Sequence, residues 1–163
     1  SVFGPMQLWR ISAGQPDEAI NNIEEYGSLI GKAFQIKDDI LDCEAYFDEK
    51  AAKKLGKKPG NDVWEGTKTL ILWHFYNQSN APAEVKEKVR QIYMLDRNRK
   101  IDGEIAYVLQ QFKDYGSIDY TKNEGKKLAQ QALEIFDEHT KDLDSPFKSI
   151  AQDAINALEN RGK

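Results

Sequence analysis

Apolar residues recur along the chain at three- and four-residue intervals, and no period-two pattern competes with them. That spacing puts the apolar positions on one face of an α-helix. Gly4-Pro5 opens the first predicted helix, with proline at an early position where its missing N–H does no harm, and the helix ends near Gly14. Gln15-Pro16-Asp17 then starts a long helix whose apolar positions include Ile20, Ile23, Tyr26, Ile30, Ala33, Phe34, Ile40 and Leu41. Few charges fall between Tyr26 and Ile36, which predicts a helix surrounded by other helices. A short charged helix is expected over Asp48 to Leu55, followed by the clearest loop of the chain, Gly56 to Asp62, with its Pro59-Gly60 and Asn61-Asp62 turn pairs. The apolar run Leu70 to Tyr76 predicts a buried helix; Pro82 opens another that runs to about Met94, and Ile101 to Phe112 forms a further one. Tyr115 to Asp119 reads as a break, Tyr120 to Leu143 as a long amphipathic helix, and Ser145-Pro146 as the start of a last helix ending near Arg161-Gly162. The fold class is all-α, with antiparallel helices joined by short loops.

Composition narrows the function more than the fold. The chain has 163 residues, 31% charged and 40% hydrophobic, a soluble globular balance and not a disordered one. The formal charge of −4 gives no basic excess for a nucleic-acid surface. No apolar run approaches the ~20 residues of a membrane span, and Cys43 is the single cysteine, so a reducing, cytoplasmic location is expected. The sequence opens Ser1-Val2-Phe3-Gly4-Pro5-Met6 without an initiator methionine, and the expectation is a chain that starts partway through a larger protein.

Against this background one run stands out: Gly31 to Asp42, which contains Phe34, Gln35, Asp38, Asp39 and Asp42. A helix turns about 100° per residue, so Asp38 and Asp42 share a face, with Asp39 one step to the side. Traced backwards, that face carries Gln35, Gly31 and Gly27. Carboxylates flanked by Phe34, Ile36, Ile40 and Leu41 are costly to bury without a counter-charge. Hard oxygen donors on one helix suit Mg²⁺, with the remaining positions left to waters and phosphate oxygens. A surface Asp-Asp pair and a glycine packing notch are the plainer alternatives. An EF-hand reading fails, because Ile40 occupies a ligand position and Cys43 replaces the turn glycine.

A second run, Gly56-Lys57-Lys58-Pro59-Gly60-Asn61-Asp62 through Gly66-Thr67-Lys68-Thr69, places lysines and glycines shortly after the aspartates. It lacks the Gly-Lys-Ser/Thr of a phosphate-binding P-loop, but it could close over an anion held at the aspartate helix.

Together the two runs resemble the C-terminal half of the trans-prenyltransferases, the polyprenyl (isoprenyl) diphosphate synthases. Gly31, Phe34, Gln35, Asp38, Asp39 and Asp42 fill every position of that family's second aspartate-rich motif. Gly56, Lys57, Gly60 and Asp62 match its Gly-Lys-x-x-Gly-x-Asp segment, and Tyr115 to Thr121 is similar to its late turn. The resemblance implies a helical bundle of the isoprenoid synthase type. It implies condensation of an allylic diphosphate with isopentenyl diphosphate, with Mg²⁺ as cofactor. It further implies Asp38 as a direct metal ligand, and Asp39 and Asp42 as ligands through water or partners of diphosphate-binding lysines. Phe34 and Gln35 would lie near isopentenyl diphosphate and the reacting carbon, and Lys57 would help hold the diphosphate.

Two departures qualify it. The family's Gly-Lys-x-Thr is Gly66-Thr67-Lys68-Thr69 here, so Lys68 stands one residue late and can substitute only if the backbone there is a loop. The family's first aspartate-rich motif and its Gly-Gly-Lys-x-x-Arg segment do not occur in these 163 residues. Residues 1–163 are therefore expected to be the C-terminal part of a single synthase domain lacking the N-terminal helices. Such a chain would be inactive alone and would form a homodimer or associate with an N-terminal half. A regulatory subunit that binds Mg²⁺–diphosphate without turnover is the alternative, and a terpene cyclase on the same fold is a second. Among the remaining residues, His74 reads as a core or edge histidine and His139 as exposed. Trp64 and Trp73 read as packing residues, Cys43 as a half-buried thiol, and Asp96 to Lys100 as a solvated turn.

Overall fold

The computed structural model describes residues 17–56 and 58–140. Its elements are α1 (Asp17–Phe47), α2 (Glu49–Leu55), α3 (Asn61–Glu65), α4 (Leu70–Asn77), α5 (Ala83–Tyr93), a 3₁₀ turn (Arg97–Arg99), α6 (Asp102–Asp114) and α7 (Ser117–Thr140). No strand occurs among the described residues, in keeping with the all-α expectation. The helices expected at Gly4 to Gly14 and after Ser145 lie outside the described residues, as do the side chain of His139 and Lys57.

The described residues fall into two compact units, one comprising residues 17–35 with 125–140 and the other residues 36–56 with 58–124. In the first, Tyr26, Ile30 and Ala33 of α1 are buried with Ala132 and Phe136 of α7. These positions follow helical spacing on both elements, so each helix turns one apolar stripe to the other. The rings of Tyr26 and Phe136 meet at 5.3 Å between centroids. Burial pushes the Tyr26 hydroxyl up to about 12.

In the second unit α6 is the central element, packing against α3, α4 and α5. Ile105, Val108, Leu109 and Phe112 are its buried residues, and Phe112 meets Phe75 of α4 edge-on at 5.4 Å. The helix starts where the Ile101 N–H donates to the Glu104 carboxylate at 3.0 Å. It ends at Tyr115, and Gly116, at φ 70, turns the chain directly into α7. The expected break is therefore confined to Tyr115-Gly116, and Ser117, Ile118 and Asp119 belong to the following helix. A left-handed glycine reverses the chain in one residue, so no longer loop is needed.

α4 also differs from expectation. Ile71 and Phe75, four apart, are fully buried, whereas Trp73 is 47% exposed. An eight-residue helix that keeps one side exposed buries a stripe and not its whole circumference. Its C-terminal end is closed by Lys86, whose Nζ donates to the carbonyls of Tyr76 at 2.9 Å and Ser79 at 3.0 Å. His74 behaves as an edge histidine, with Nδ1 3.0 Å from Ser117 Oγ and its ring stacked on Tyr120.

Candidate functional site

The residues of the aspartate motif occupy the C-terminal half of α1. Phe34 is half-buried against the Tyr26–Phe136 cluster of the first unit, and Gln35 beside it is exposed. The three carboxylates, which belong to the second unit, have unequal surroundings. Asp38 is exposed, Asp39 is 7% exposed and Asp42 is fully buried.

Asp42 is tied to the lysine-glycine loop at two points. Its Oδ2 accepts the backbone N–H of Asp62 at 3.0 Å, and its carbonyl accepts the N–H of Gly60 at 3.1 Å. The loop must come this close because Gly60, at φ 74, lies against α6. A Cβ on Gly60 would stand 2.9 Å from Leu109 Cδ1 and 3.0 Å from Ile105 Cγ2. Both the backbone conformation and the space require glycine. Asn61 and Asp62, expected as turn residues, instead begin the short helix α3, with the Val63 and Trp64 N–H groups donating to the Gly60 carbonyl.

The far end of α3 is held by a residue whose role the sequence did not disclose. Lys100 was expected in a solvated turn, but it is 5% exposed. Its Nζ donates to the carbonyls of Val63 at 2.7 Å and Trp64 at 3.1 Å. Burial lowers its pKa from the usual lysine range. A carboxylate thus meets the N–H end of α3 and an ammonium meets its carbonyl end, the arrangement the helix dipole favours. The signal that would have found Lys100 is weak, since it is only the last residue of a charged turn before an apolar-periodic helix.

After Gly66, at φ 72, residues Thr67, Lys68 and Thr69 form no helix. Thr67 and Lys68 are exposed, with the Thr67 N–H donating to the Asp62 carbonyl at 2.9 Å. Thr69 caps α4 by accepting the Leu72 N–H. Lys58 reaches Asp102 at 2.7 Å and lies over the Trp64 ring at 4.1 Å. Together with Arg97 and Asn98, Lys58 and Trp64 line an open cleft of about 390 Å³ that none of the three aspartates lines.

The electrostatics around the motif are acidic. Cys43, expected as half-buried, is 3% exposed. Its thiol is pushed well above the usual cysteine range, first by burial and then by the charges of Asp42, Asp62, Asp39 and Glu44. Burial likewise raises the Tyr93 hydroxyl, with Cys43, Asp62 and Asp42 adding to it. Such a field favours a cation. Among the described residues, no three His, Cys, Asp or Glu side chains form a group that could enclose a metal ion. A carboxylate set of this kind fits an ion such as Mg²⁺, which keeps waters and takes one or two carboxylates together with phosphate oxygens. Gly31 is exposed, and a Cβ there would meet nothing within 4 Å. No helix among the described residues is long and apolar enough to cross a membrane.

Comparison with known proteins identifies the family to which the chain belongs. The sequence profile of the polyprenyl synthetase family matches residues 1–112. The chain is 32% identical over 133 residues to an octaprenyl diphosphate synthase of Haemophilus influenzae, covering 80% of this chain and 37% of that protein. It is 33% identical over 127 residues to a geranylfarnesyl diphosphate synthase of Natronomonas pharaonis, covering 78% and 33%. The crystal structure of a geranylgeranyl pyrophosphate synthetase from Pyrococcus horikoshii superimposes with a TM-score of 0.70 at 31% identity, over 91% of this chain and 41% of that one. The chain therefore spans about two fifths or less of the length of these proteins, and its helices have the all-α isoprenoid synthase fold. The chain belongs to the polyprenyl synthetase family.

Proposed function

We propose that this chain supplies one acidic arm of a prenyl diphosphate synthase, gripping an allylic diphosphate through Mg²⁺ for condensation with isopentenyl diphosphate. The observation that carries the reading is the bonded union of the two motifs, in which Asp42 accepts the Asp62 N–H at 3.0 Å. Asp42 is hydrogen-bonded to both Gly60 and Asp62, which joins the aspartate helix to the loop. That is what a site holding both a divalent cation and a polyphosphate needs.

Each residue then has a distinct part. Asp38, exposed on α1, is the direct metal ligand, and Asp39 supports it as a ligand through water. Asp42, fully buried, holds the loop in register and contributes its charge to the field. A Mg²⁺ ion held by these carboxylates would supply positive charge to the diphosphate and so make it a better leaving group. Lys57 supplies a positive charge to the diphosphate. Thr67 stands where the family carries lysine, and the non-helical backbone at Thr67 to Thr69 meets the condition under which Lys68 takes that part. Phe34 and Gln35 flank the reacting end of isopentenyl diphosphate, Phe34 as an apolar wall and Gln35 as a hydrogen-bonding amide.

The 163 residues contain one aspartate-rich motif, where the family that the chain resembles carries two to hold the cations that grip the diphosphate. Turnover therefore requires a second acidic arm, brought by further polypeptide of the same or another chain. Incubating this chain alone with labelled allylic and isopentenyl diphosphates and Mg²⁺ gives retention of the allylic diphosphate without elongation. Robust elongation by the chain alone overturns the single-arm reading. The Thr67 substitution favours, as a second reading, a partner subunit that binds Mg²⁺–diphosphate without turnover.

A further inference from the structure

We infer that Lys100 is a positioning residue for the diphosphate loop, clamping the end of α3 opposite to the one that Asp42 holds. The inference rests on the proposed function for the word diphosphate, but its structural part stands on distances alone. α3 has five residues, too few to persist by their own hydrogen bonds. Its conformation has to be imposed from outside. At its beginning the imposing groups are the Asp42 carboxylate and carbonyl, 3.0 and 3.1 Å from the Asp62 and Gly60 nitrogens. At its end the imposing group is the Lys100 ammonium, 2.7 and 3.1 Å from the Val63 and Trp64 carbonyls.

The Gly66 and Thr67 N–H groups close the same end on the Val63 and Asp62 carbonyls and Arg97 pairs with Glu65, while Lys100 is the side chain that donates to the Val63 and Trp64 carbonyls together. Gly66 lies two residues beyond Trp64, and a Cβ there would stand 3.3 Å from the Tyr93 carbonyl and 3.7 Å from Lys100 Nζ, so Lys100 sits against the turn that leads to Thr67 and Lys68. The ammonium also lies 5.6 Å from the Tyr93 ring centroid, which gives it a second stabilising contact in a site from which water is largely excluded. An ammonium is seldom buried without a carboxylate partner. Here it is directed at two carbonyls at a helix C-terminus, where partial negative charge gathers. The consequence is that the exposed segment Thr67-Lys68 leaves α3 in one fixed direction. Without the clamp, the last turn of α3 opens and the segment that carries Lys68 loses its fixed origin.

The test compares the parent chain with Lys100→Met, which keeps the stem and removes the ammonium, and with Lys100→Arg, which restores charge and donors. Amide hydrogen exchange is followed at Trp64, Gly66 and Thr67, with Val108 and Leu109 of α6 as internal controls. Binding of inorganic pyrophosphate in the presence of Mg²⁺ is measured by calorimetry on the same proteins. The expected result is exchange at least tenfold faster at Trp64 to Thr67 in Lys100→Met with the α6 amides nearly unchanged. Pyrophosphate affinity falls at least fivefold, and Lys100→Arg recovers most of both. Unchanged loop exchange in Lys100→Met overturns the clamp whatever pyrophosphate does. Faster loop exchange with unchanged pyrophosphate affinity overturns the positioning role. A parent chain that fails to bind Mg²⁺–pyrophosphate overturns the proposed function and the positioning role with it, while the exchange data still decide whether Lys100 is a structural clamp. If Lys100→Met loses its cooperative unfolding transition, Lys100→Gln, which retains a donor, carries the same comparison with smaller ratios.

Discussion

Asp38 and Asp42 are equivalent in the sequence motif but not in the folded chain, and replacing each with alanine separates their roles. Asp42 is fully buried, and its Oδ2 accepts the Asp62 N–H at 3.0 Å. A hydrogen bond to a charged acceptor contributes about 1.5–3 kcal/mol, and loss of an N-terminal helix cap costs about 1 kcal/mol. These describe the same contact from two sides, so they are not summed. Asp42→Ala should lower stability by about 2–3 kcal/mol. In a chain of this size that corresponds to roughly 4–12 °C in Tm. Asp38 is exposed, and Asp38→Ala should change stability by less than about 0.5 kcal/mol. Urea unfolding followed by circular dichroism supplies both numbers, with an unchanged m-value as the condition for reading the midpoint shift as stability. The Asp62 amide should also exchange faster in Asp42→Ala and not in Asp38→Ala. Equal losses in the two variants would refute the division of roles. A gain in stability on Asp42→Ala would show that desolvation of the carboxylate outweighs its hydrogen bond, as happens for some buried charges.

Other consequences concern groups away from the loop. Burial, and secondarily Lys86, lowers the His74 pKa from its ordinary 6.5. The unfolded chain then binds the proton more readily, so this contribution to stability is complete above pH 6.5 and is lost as pH falls through the folded pKa. A His74→Gln variant should show a flatter stability–pH curve below 6.5 than the parent in urea titrations from pH 5 to 7.5. The Glu44–Lys122 ion pair, at 2.6 Å with both side chains little more than a third exposed, should show a coupling of about 0.5 kcal/mol in a double-mutant cycle, falling at high salt. Cys43 is buried and its thiol is pushed up by burial and neighbouring carboxylates, so a disulfide-exchange reagent at pH 8 should modify it at least a hundredfold more slowly in the native chain than in denaturant. A native rate close to the denatured one would contradict that placement.

The sequence carried the fold well because the fold depends on periodicity. The three-four spacing of Tyr26, Ile30 and Ala33, and of Ile105, Val108, Leu109 and Phe112, marks the stripes that are buried. Pro82 and Asp17 mark real helix starts. The sequence was less informative where an outcome depends on a distant residue. α3 exists because Asp42 and Lys100, far apart in the chain, meet its two ends, and nothing local in Asn61 to Glu65 demands a helix. Lys100 looks like any surface lysine until the carbonyls of Val63 and Trp64 are placed beside it. Trp73 falls on the side of α4 that no described neighbour covers, a fact of tertiary packing and not of its own composition. For the site, motif spacing named Asp38, Asp39 and Asp42 together. Only their unequal burial separates the exposed carboxylate from the one bonded to the loop.

The most direct test is calorimetric titration of an allylic diphosphate into this chain with and without Mg²⁺, repeated on Asp38→Asn. If α1 and its loop are a Mg²⁺–diphosphate arm, the parent shows saturable binding that requires Mg²⁺. Asp38→Asn should weaken that binding at least tenfold while changing Tm little, because the carboxylate is exposed and the amide is isosteric. Binding that ignores Mg²⁺, or equal affinity in parent and Asp38→Asn, would contradict it.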